Sequence, residues 1–395
     1  MNILVLNCGS SSVKFQLINM ADETASAKGL VEEIGHPQAQ FNYETITGEH
    51  LKENRSIPDH EKALQCVIDT LMHCEHGVLE AKSHIAGIGH RVVHGGAEFT
   101  SSVLIDDHVL KVIESLIPLS PLHNPANLMG IKVAGKVLSG IPQVAVFDTA
   151  HGAALPAEAN TYAVPSPWRR KYNIRRYGFH GTSHAYVAKK AAKILKAPYE
   201  SIRIITCHLG NGASIAAVKN GKCIETSMGF TPLEGLVMGT RSGDIDPAII
   251  PFIGKHEGYS MQEIDQQLNT KSGMLALTGE TDMRIIEDRA RAGNDRERLA
   301  LDVYVHRIKK YIGAYTFIMG GVDVLVFTAG IGENSAYVRE RVLCNMDELG
   351  ITFDADANRA HATHIGTGRV KVLIVPTNEE LAIARDTQKV LENNK

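Results

Sequence analysis

The sequence predicts a mixed α/β fold built from two similar halves. Short apolar runs of strand composition alternate with segments of helical periodicity, and one strand–turn–strand pattern occurs twice. The chain has 395 residues, beyond the length at which a single hydrophobic core stops growing. We therefore expect two domains.

The repeated pattern is an apolar strand, a turn of Gly and small polar residues, and a second strand. Its first copy covers residues 3–7 and 13–17, and its second covers 202–208 and 213–218. The copies lie about two hundred residues apart, which is roughly a domain length. This spacing predicts an internal duplication.

The rest of the chain alternates between helices and strands. Helices are predicted near 61–72, 109–117, 126–137 and 296–318 and from about 379, and strands near 85–93, 143–147, 322–327 and 370–375. The long helix 296–318 has an apolar stripe that includes Leu301, Val305 and Ile308.

Composition and charge favour a small-molecule partner. Lys and Arg number 41 against 44 acidic residues, so there is no basic excess for nucleic acid or an anionic membrane. The N-terminal apolar run is too short for a signal peptide, and no segment is long enough to span a membrane. Six cysteines are scattered singly, which fits a reducing cytoplasm.

Three turns have the composition that holds phosphate. They are residues 7–14 (NCGSSSVK), 208–214 (HLGNGAS) and 330–335 (GIGENS). Gly and small hydroxyl residues let a phosphate approach converging backbone N–H groups. The sequence has no GxxxxGK[ST] string, and neither Gly-x-Gly turn completes a dinucleotide fingerprint, so P-loop enzymes and dehydrogenases are disfavoured.

Six motifs occur in order along the whole chain: residues 7–14, 89–96 (GHRVVHGG), 177–184 (YGFHGTSH), 208–212 (HLGNG), 239–243 (GTRSG) and 376–380 (PTNEE). In these motifs the sequence resembles the acetate and propionate kinase family, within the superfamily of sugar kinases, Hsc70-type ATPases and actin. The resemblance implies duplicated ribonuclease H-like domains that flank an ATP cleft. It places an N-terminal domain at 1–149 plus 380–395, and a C-terminal domain for nucleotide binding and dimerisation at 150–379.

The resemblance also implies the reaction. It is a reversible, Mg²⁺-dependent transfer of a phosphoryl group from ATP to acetate, which gives ADP and acetyl phosphate by direct in-line displacement without a phosphoenzyme. Mn²⁺ is expected to substitute for Mg²⁺, and the enzyme is expected to be a homodimer.

A carboxylate acceptor is already ionised at pH 7, so the chemical difficulty is to bring two anions together. Arg91 and Arg241 lie in Gly-rich motifs of different halves, and guanidinium groups suit carboxylate and phosphoryl oxygens. Asp148 follows a buried strand, at the end where α/β proteins place ligand chemistry. The resemblance implies catalytic roles for Asp148, Arg91, Arg241 and His180, with His180 and Arg241 stabilising the transition state.

Further roles rest on the resemblance alone. It implies that Asn7 and Glu379, with Asp148, organise the metal, and that Val93, Leu122, Phe179 and Pro232 line an apolar pocket for the acyl group beside Arg91. The implied ATP-binding residues are Lys14, Ser10, Ser12, His208, Gly210, Asn211, Gly212, Gly330, Ile331, Gly332 and Asn334. His123 is expected near the site.

His180 and His184 are four residues apart but lack the glutamate of an HExxH zinc motif, so a zinc site is disfavoured. We expect His94 and His184 to be structural.

Two alternatives remain. A propionate or butyrate kinase would differ only in pocket volume, and Val93 argues against it because a smaller residue would leave room for another methylene. An actin-like or Hsc70-like ATPase would hydrolyse ATP without a carboxylate acceptor. Residues 151–155 depart from the family pattern, and the resemblance places them near the hinge.

Overall fold

The computed structural model describes residues 1–394 and divides the chain into two compact units. Unit 1 comprises Met1–Ala153 and the segment that begins at Asn378, and unit 2 comprises Ala154–Thr377. Among the described residues, no helix has both the length and the apolar composition needed to cross a membrane.

Unit 1 is built on a mixed sheet. Its strands are β1 (Asn2–Cys8), β2 (Val13–Asn19), β3 (Thr24–Glu32), β4 (Ala39–Thr45), β5 (His50–Arg55), β6 (Ile85–Val92), β7 (Val103–Leu104) and β8 (Gln143–Phe147). They follow the order β5-β4-β3-β2-β1-β6-β8-β7 across the sheet. Since β1, β6 and β8 are parallel neighbours, their carboxyl ends meet at one edge.

Unit 2 contains the second sheet. Its strands are β9 (Ile204–Leu209), β10 (Ala213–Lys219), β11 (Lys222–Thr226), β12 (Val324–Thr328) and β13 (Lys371–Ile374). They follow the order β11-β10-β9-β12-β13, with β9, β12 and β13 parallel and β10 antiparallel to its neighbours.

The two sheets share one topology. In unit 1, β3-β2-β1 are antiparallel and β6 and β8 continue in parallel, and in unit 2 β11-β10-β9 are followed by β12 and β13 in the same way. The predicted α/β fold and its internal duplication are confirmed.

The helices lie between and around these strands. In chain order they are α1 (His60–Leu71), α2 (Asp107–Ser115), α3 (Asn124–Val137), α4 (Ala150–Ala153), α5 (Ala157–Asn160), α6 (Ser166–Tyr172), α7 (Gly181–Ile194), α8 (Ile249–Glu257), α9 (Met261–Thr270), α10 (Gly273–Thr278), α11 (Met283–Arg291), α12 (Asp295–Met319), α13 (Ala329–Asn334), α14 (Ala336–Leu343), α15 (Ala355–Arg359) and α16 (Glu379–Asn393). The departing segment 151–155 begins within α4, and unit 1 ends at the last residue of that helix.

Helices cover both faces of the unit 1 sheet. Ile88 of β6 packs in one core with Ala134 of α3. A Cβ on the next residue, Gly89, would come within 2.4 Å of the Thr387 hydroxyl on α16. Because successive strand residues face opposite sides, α3 and α16 lie on opposite faces, and Gly89 lets α16 approach closely.

The core of unit 2 forms around β9, β10 and β12, whose residues are buried apart from the last residue of β10. Helix α7 contacts β9 and β12, and α12 contacts β9 and β10. The predicted apolar stripe of α12 is confirmed, since Leu301, Val305 and Ile308 are all buried.

Candidate active site

The first predicted phosphate turn joins β1 to β2 in unit 1. The N–H of Gly9 donates to the Ser12 carbonyl at 2.8 Å, and Nε2 of His60 lies 2.8 Å from the Gly9 carbonyl oxygen. These two hydrogen bonds fix the backbone of the turn. The Ser10 side chain stays exposed, and that of Ser12 is partly exposed.

An ionic cluster lies where β6 and β8 end. Arg91 is near the end of β6, and Asp148 directly follows β8. A guanidinium N–H of Arg91 donates to the Asp148 carboxylate at 2.6 Å, and Glu379 Oε2 lies 4.0 Å from Arg91 Nε. Asp148 is only 2% exposed, so this ion pair is largely shielded from water. The structure thus brings together three of the predicted site residues.

The charged side chains of this cluster shift one another's pKa values. Burial, together with the charge of Asp148, raises the pKa of Glu379 to about 7, and Arg91 opposes that shift. The Asp148 carboxylate raises the pKa of the Arg91 guanidinium. Lys14 forms an ion pair with Glu380, the neighbour of Glu379. The fold thus holds the Asp148 and Glu379 carboxylates close together, which makes Glu379 harder to ionise.

This donor set suits a hard divalent cation. Asp148 and Glu379 offer carboxylate oxygens, and Asn7, the third expected ligand, lies in β1 opposite Lys14 of β2. Mg²⁺ prefers oxygen ligands, and a dication would relieve the repulsion that raises the Glu379 pKa. The residues present therefore fit the implied metal.

Two buried asparagines on α3 were missed by the sequence analysis. The N–H of Val93 donates to Asn127 Oδ1 at 3.1 Å, and Asn127 Nδ2 donates to the Cys8 carbonyl at 3.0 Å. One turn earlier, Asn124 binds both the N–H and the carbonyl of His94. Asn127 thus ties the strand end beside Arg91 to the first phosphate turn. The sequence signal that could have identified them is the presence of two amide side chains on an otherwise apolar helix face.

The four residues of the predicted acyl pocket belong to different units. Val93 and Leu122 are in unit 1, where Val93 is 4% exposed and Leu122 is 74% exposed. Phe179 and Pro232 are in unit 2, where Phe179 is buried and Pro232 half-buried. The pocket stays a prediction.

In unit 2, the second predicted phosphate turn joins β9 to β10. The N–H of Gly210 donates to the Gly212 carbonyl at 3.0 Å, and the N–H of Gly239 donates to the Asn211 carbonyl at 2.9 Å. A Cβ on Gly239 would lie 1.8 Å from Asn211 Oδ1. The absence of a side chain at Gly239 is therefore required for the position of Asn211.

His180 and Arg241 converge on this turn. A Cβ on Gly212 would lie 3.3 Å from His180 Nε2 and 3.7 Å from Arg241 Nη1. His180 precedes α7 with a φ of +56°, a conformation that non-glycine residues rarely adopt and that clusters at functional sites. Its ring stacks on His208 with the centroids 4.2 Å apart. The prediction that these groups share one site is supported within unit 2.

Arg241 is placed to hold an anion. Its described contacts are the Pro232 carbonyl at 3.2 Å and the Met238 sulfur at 3.6 Å, neither of which carries a negative charge. Burial lowers the pKa of the Arg241 guanidinium because the charged form is poorly solvated. An anionic ligand would supply the missing charge compensation.

His184 is connected to His180. Nε2 of His184 and Nδ1 of His180 lie 2.7 and 2.9 Å from the same Ser214 hydroxyl, and Nδ1 of His184 lies 2.7 Å from the Thr206 hydroxyl. His208 Nδ1 bonds Ser183 at 2.8 Å. Hydroxyl groups thus bind both ring nitrogens of His184 and one ring nitrogen each of His180 and His208.

The third predicted phosphate loop is a correction, because residues 330–334 lie inside a helix. Helix α13 starts at Ala329 directly after β12, with no intervening loop. Ala329 lies in the left-handed backbone region with a φ of +64°. Its N–H donates to Glu333 Oε1 at 2.8 Å. A single residue in the left-handed region thus replaces the loop.

A buried arginine supports this helix and was also missed. Arg339 is fully buried, and its guanidinium donates to the Gly332 and Glu333 carbonyls at 2.9 Å and to Asn358 Oδ1 at 2.7 Å. Burial lowers the Arg339 pKa to about 10. In sequence it looks like an exposed residue of a charged helix.

A cavity of about 540 Å³ lies in unit 2 against both glycine segments. Its walls include six predicted nucleotide-binding or motif residues: Gly210, Asn211, Gly239, Gly330, Ile331 and Asn334. The lining also includes residues that the sequence analysis did not select, among them Thr281, Asp282, Met283, Arg284 and Glu287. Its size and its Gly-lined wall suit a nucleoside.

One group of possible metal ligands lies outside the predicted sites. His73, Glu75 and His76 follow α1 and place one ligand atom each within 4.8 Å of one another. His73 and Glu75 are exposed, and the His73 Nδ1 lone pair already accepts the N–H of Glu75.

Comparison with known proteins identifies the family. A family model described as the Acetokinase family matches residues 2–385. A curated protein of Halothermothrix orenii named acetate kinase is 53% identical over 398 aligned positions, which cover 100% of both chains.

Solved structures give the same answer. The crystal structure of acetate kinase from Porphyromonas gingivalis matches with a TM-score of 0.95 and 46% identity, over 99% of each chain. A propionate kinase from Francisella tularensis matches with a TM-score of 0.92 and 42% identity, over 98% of this chain and 99% of its own. With these matches over its whole length, and with the arginines, carboxylates and glycine turns in place, the chain belongs to the acetokinase family of carboxylate-phosphorylating kinases.

Proposed function

We propose that this enzyme transfers the γ-phosphoryl group of ATP reversibly to acetate, giving acetyl phosphate and ADP. The observation that carries the proposal is the Arg91–Asp148 ion pair with Glu379 beside it, at the edge where the parallel strands of unit 1 end. An acceptor carboxylate needs a fixed cation and no general base, and this cluster offers a fixed cation.

In this mechanism Arg91 binds and orients acetate. Asp148 holds one side of its guanidinium at 2.6 Å, which leaves the other N–H groups to approach the acetate carboxylate. The predicted acyl contacts are Val93, Leu122, Phe179 and Pro232, of which Val93 would limit the acyl chain length.

Asn7, Asp148 and Glu379 would hold Mg²⁺, for which Mn²⁺ can substitute. The bound cation would supply charge neutralisation for the phosphate oxygens of the nucleotide. Lys14, Ser10 and Ser12 of the first turn would bind phosphate oxygens as well.

Unit 2 would bind the nucleotide. The cavity beside Gly330 and Ile331 would hold the adenosine, and the turn Gly210–Gly212 would hold the phosphates, with His208, Gly332 and Asn334 alongside. His180 and Arg241 would stabilise the charge on the transferring group, because both converge on Gly212. Transfer is direct, with acetate oxygen as the nucleophile.

The enzyme acts as a homodimer in the cytoplasm. Large apolar side chains on α12, Leu299, Phe317 and Ile318, are 63%, 89% and 53% exposed, and a second copy of the chain would cover them. The six cysteines form no disulfide among the described residues, which fits a reducing compartment.

Propionate is the second candidate acceptor, because a relative 42% identical to this chain is titled a propionate kinase. Hydroxylamine trapping of acyl phosphate tests both acceptors, with ATP, Mg²⁺ and acetate, propionate or butyrate in parallel. We expect the highest kcat/KM with acetate. A higher value with propionate would overturn the acceptor assignment, and ADP release without hydroxamate from any acid would overturn the kinase reaction itself.

A further inference from the structure

One carboxylate in unit 2 binds two segments that are distant in sequence. Oε1 of Glu333 accepts the N–H of Ala329 at 2.8 Å and the Thr328 hydroxyl at 3.3 Å. The same oxygen accepts the N–H of Thr377 at 3.1 Å, although Thr377 lies 44 residues further along the chain. Glu333 therefore joins the start of α13 to the segment that follows β13.

The start of α13 depends on this carboxylate. Ala329 has a φ of +64°, a conformation that a residue with a side chain keeps only where its surroundings stabilise it. The bond from its N–H to Glu333 is such a contact. Gly330 and Ile331, which follow directly, line the cavity assigned to the nucleotide. The Glu333 carboxylate thus fixes the backbone from which this part of the cavity wall begins.

The other segment leads to the metal carboxylate. Thr377 is the last residue of unit 2, and the chain enters unit 1 at Asn378. Asn378 is the N-cap of α16, because its side chain accepts the N–H of Leu381 at 3.0 Å. Glu379 is the first residue of that helix. Only a capping residue therefore separates the N–H that Glu333 binds from Glu379.

Thr377 has a second attachment in unit 2. Its hydroxyl lies 2.9 Å from the hydroxyl of Ser183 on α7, and Ser183 is 0% exposed. The backbone of Thr377 is held by Glu333 and its side chain by Ser183. Loss of the Glu333 carboxylate should therefore loosen this segment without releasing it.

We propose that Glu333 is a positioning residue that couples the nucleotide cavity to Glu379. One carboxylate oxygen holds both the start of α13 and the Thr377 N–H, so a change in either segment is passed to the other. A nucleoside polyphosphate bound against α13 thereby favours the placement of Glu379 that binds Mg²⁺, and by reciprocity the metal favours the nucleotide. The metal-binding role of Glu379 rests on the proposed function.

Hydrogen exchange of the full chain, read by mass spectrometry, tests the coupling without an activity assay. In Glu333→Ala we expect loss of protection in residues 329–334 and also in residues 377–383, by about ten-fold in the second segment. Protection of β1 and β6 should stay as in the wild type. Glu333→Gln keeps an oxygen that can accept the same donors and should restore both segments.

The metal dependence of acyl phosphate formation is the second readout. The half-saturating Mg²⁺ concentration, measured at saturating ATP, should rise about ten-fold in Glu333→Ala, as when an outer partner of a metal ligand is lost. The KM for acetate should stay within about two-fold, because Asp148 still holds Arg91. A role confined to α13 would raise the KM for ATP and leave the Mg²⁺ dependence unchanged.

Glu280→Ala is the matched control. Oε1 of Glu280 also accepts two backbone N–H groups in unit 2, those of Thr281 at 2.7 Å and Asp282 at 3.0 Å, where the chain lines the same cavity. Its described hydrogen bonds all lie within residues 278–282. Exchange in residues 377–383 and the Mg²⁺ dependence should therefore match the wild type.

Glu333→Asp keeps the test open if Glu333→Ala does not fold. Aspartate retains the charge but is one methylene shorter, so it cannot hold both segments at their present distances. We expect intermediate loss of protection in residues 377–383. Wild-type exchange there in the folded variants, or equal loss in Glu280→Ala, would overturn the proposal. If the wild type forms no acyl phosphate, the proposed function fails while hydrogen exchange still reports whether Glu333 holds this segment.

Discussion

Replacing Arg91 by methionine should destabilise unit 1, because it leaves Asp148 charged in a site that water barely reaches. The carboxylate is 2% exposed, whereas the Arg91 side chain is 23% exposed. Removal of one partner from a buried pair typically costs about 3–5 kcal/mol, and partial exposure of Arg91 places this pair near the lower end, about 3 kcal/mol. Most of that cost is the penalty of the uncompensated carboxylate.

The double variant Arg91→Met/Asp148→Asn separates stability from function. With the second charge removed, stability should recover by about 2 kcal/mol relative to Arg91→Met alone, because no buried charge remains unpaired by the substitution. Acyl phosphate formation should stay lost, since the acetate-binding guanidinium is absent. A folded but inactive double variant would assign the loss to chemistry.

Hydrogen exchange read by mass spectrometry suits this test because it reports on β6 and β8 separately. Tryptophan fluorescence is less suitable, because the only tryptophan, Trp168, lies in unit 2. Protection of the β6 and β8 amides should fall in Arg91→Met and return in the double variant. A loss below about 1 kcal/mol in the single variant, or no recovery in the double variant, would refute the reasoning.

Three further predictions follow from single positions. Burial lowers the pKa of His90 from 6.5 to about 4, so its contribution to stability is complete above pH 6.5 and is lost as the pH falls toward 4. At pH 5 this loss of unfolding free energy is about 2 kcal/mol. Urea unfolding at pH 7 and pH 5 should show the loss in the wild type and not in His90→Gln. The same pH dependence in both proteins would contradict this prediction. Gly239→Ala should raise the KM for ATP about five-fold and leave the KM for acetate unchanged, because its Cβ would displace the Asn211 amide; equal effects on both KM values would point to general disruption. Val93→Ala should raise the propionate-to-acetate ratio of kcat/KM by about ten-fold in the hydroxamate assay, and an unchanged ratio would reject the acyl pocket.

The sequence predicted those parts of the fold in which local pattern and burial agree. Strands β1, β2, β9 and β10 are apolar and flank Gly-rich turns, so their positions follow from composition. Strands β3, β4 and β5 were missed. In β3 only Ala27 and Val31 are buried and in β5 no residue is, so neither strand has an apolar run. In β4 every second residue is buried, and between these residues lie polar ones. Such strands are recognised once the neighbouring strand is known.

Site residues in glycine motifs were predictable because the chemistry of phosphate binding requires that composition. Asn127 was not, because it binds backbone groups of Val93 and Cys8, which are distant in sequence. Arg339 was not, because its contacts with the Gly332 carbonyl and Asn358 depend on how the segments around it fold. Residues 281–284 come to line the same cavity as Gly210 and Gly330 only after folding. Contacts of this kind leave no periodic trace in one sequence.

The start of helix α13 at Ala329 shows how the backbone conformation of one residue replaces a predicted loop by a helix. The Gly-rich composition of 330–335 suggested a loop, but the left-handed Ala329 and the Glu333 carboxylate that accepts its N–H allow a helix to begin at once. The amide groups at a helix start can bind phosphate as well as those of a loop can, so the change concerns structure and leaves the proposed role intact.

The central claim is that an acetate oxygen attacks the transferring phosphorus and becomes the bridging oxygen of acetyl phosphate. It is tested by ³¹P NMR of the reaction of ATP, Mg²⁺ and acetate labelled with ¹⁸O in both carboxylate oxygens. We predict acetyl phosphate whose phosphorus signal carries the upfield shift of one bridging ¹⁸O. Formation of ADP and inorganic phosphate with no acetyl phosphate signal, or of acetyl phosphate without that shift, would contradict the account.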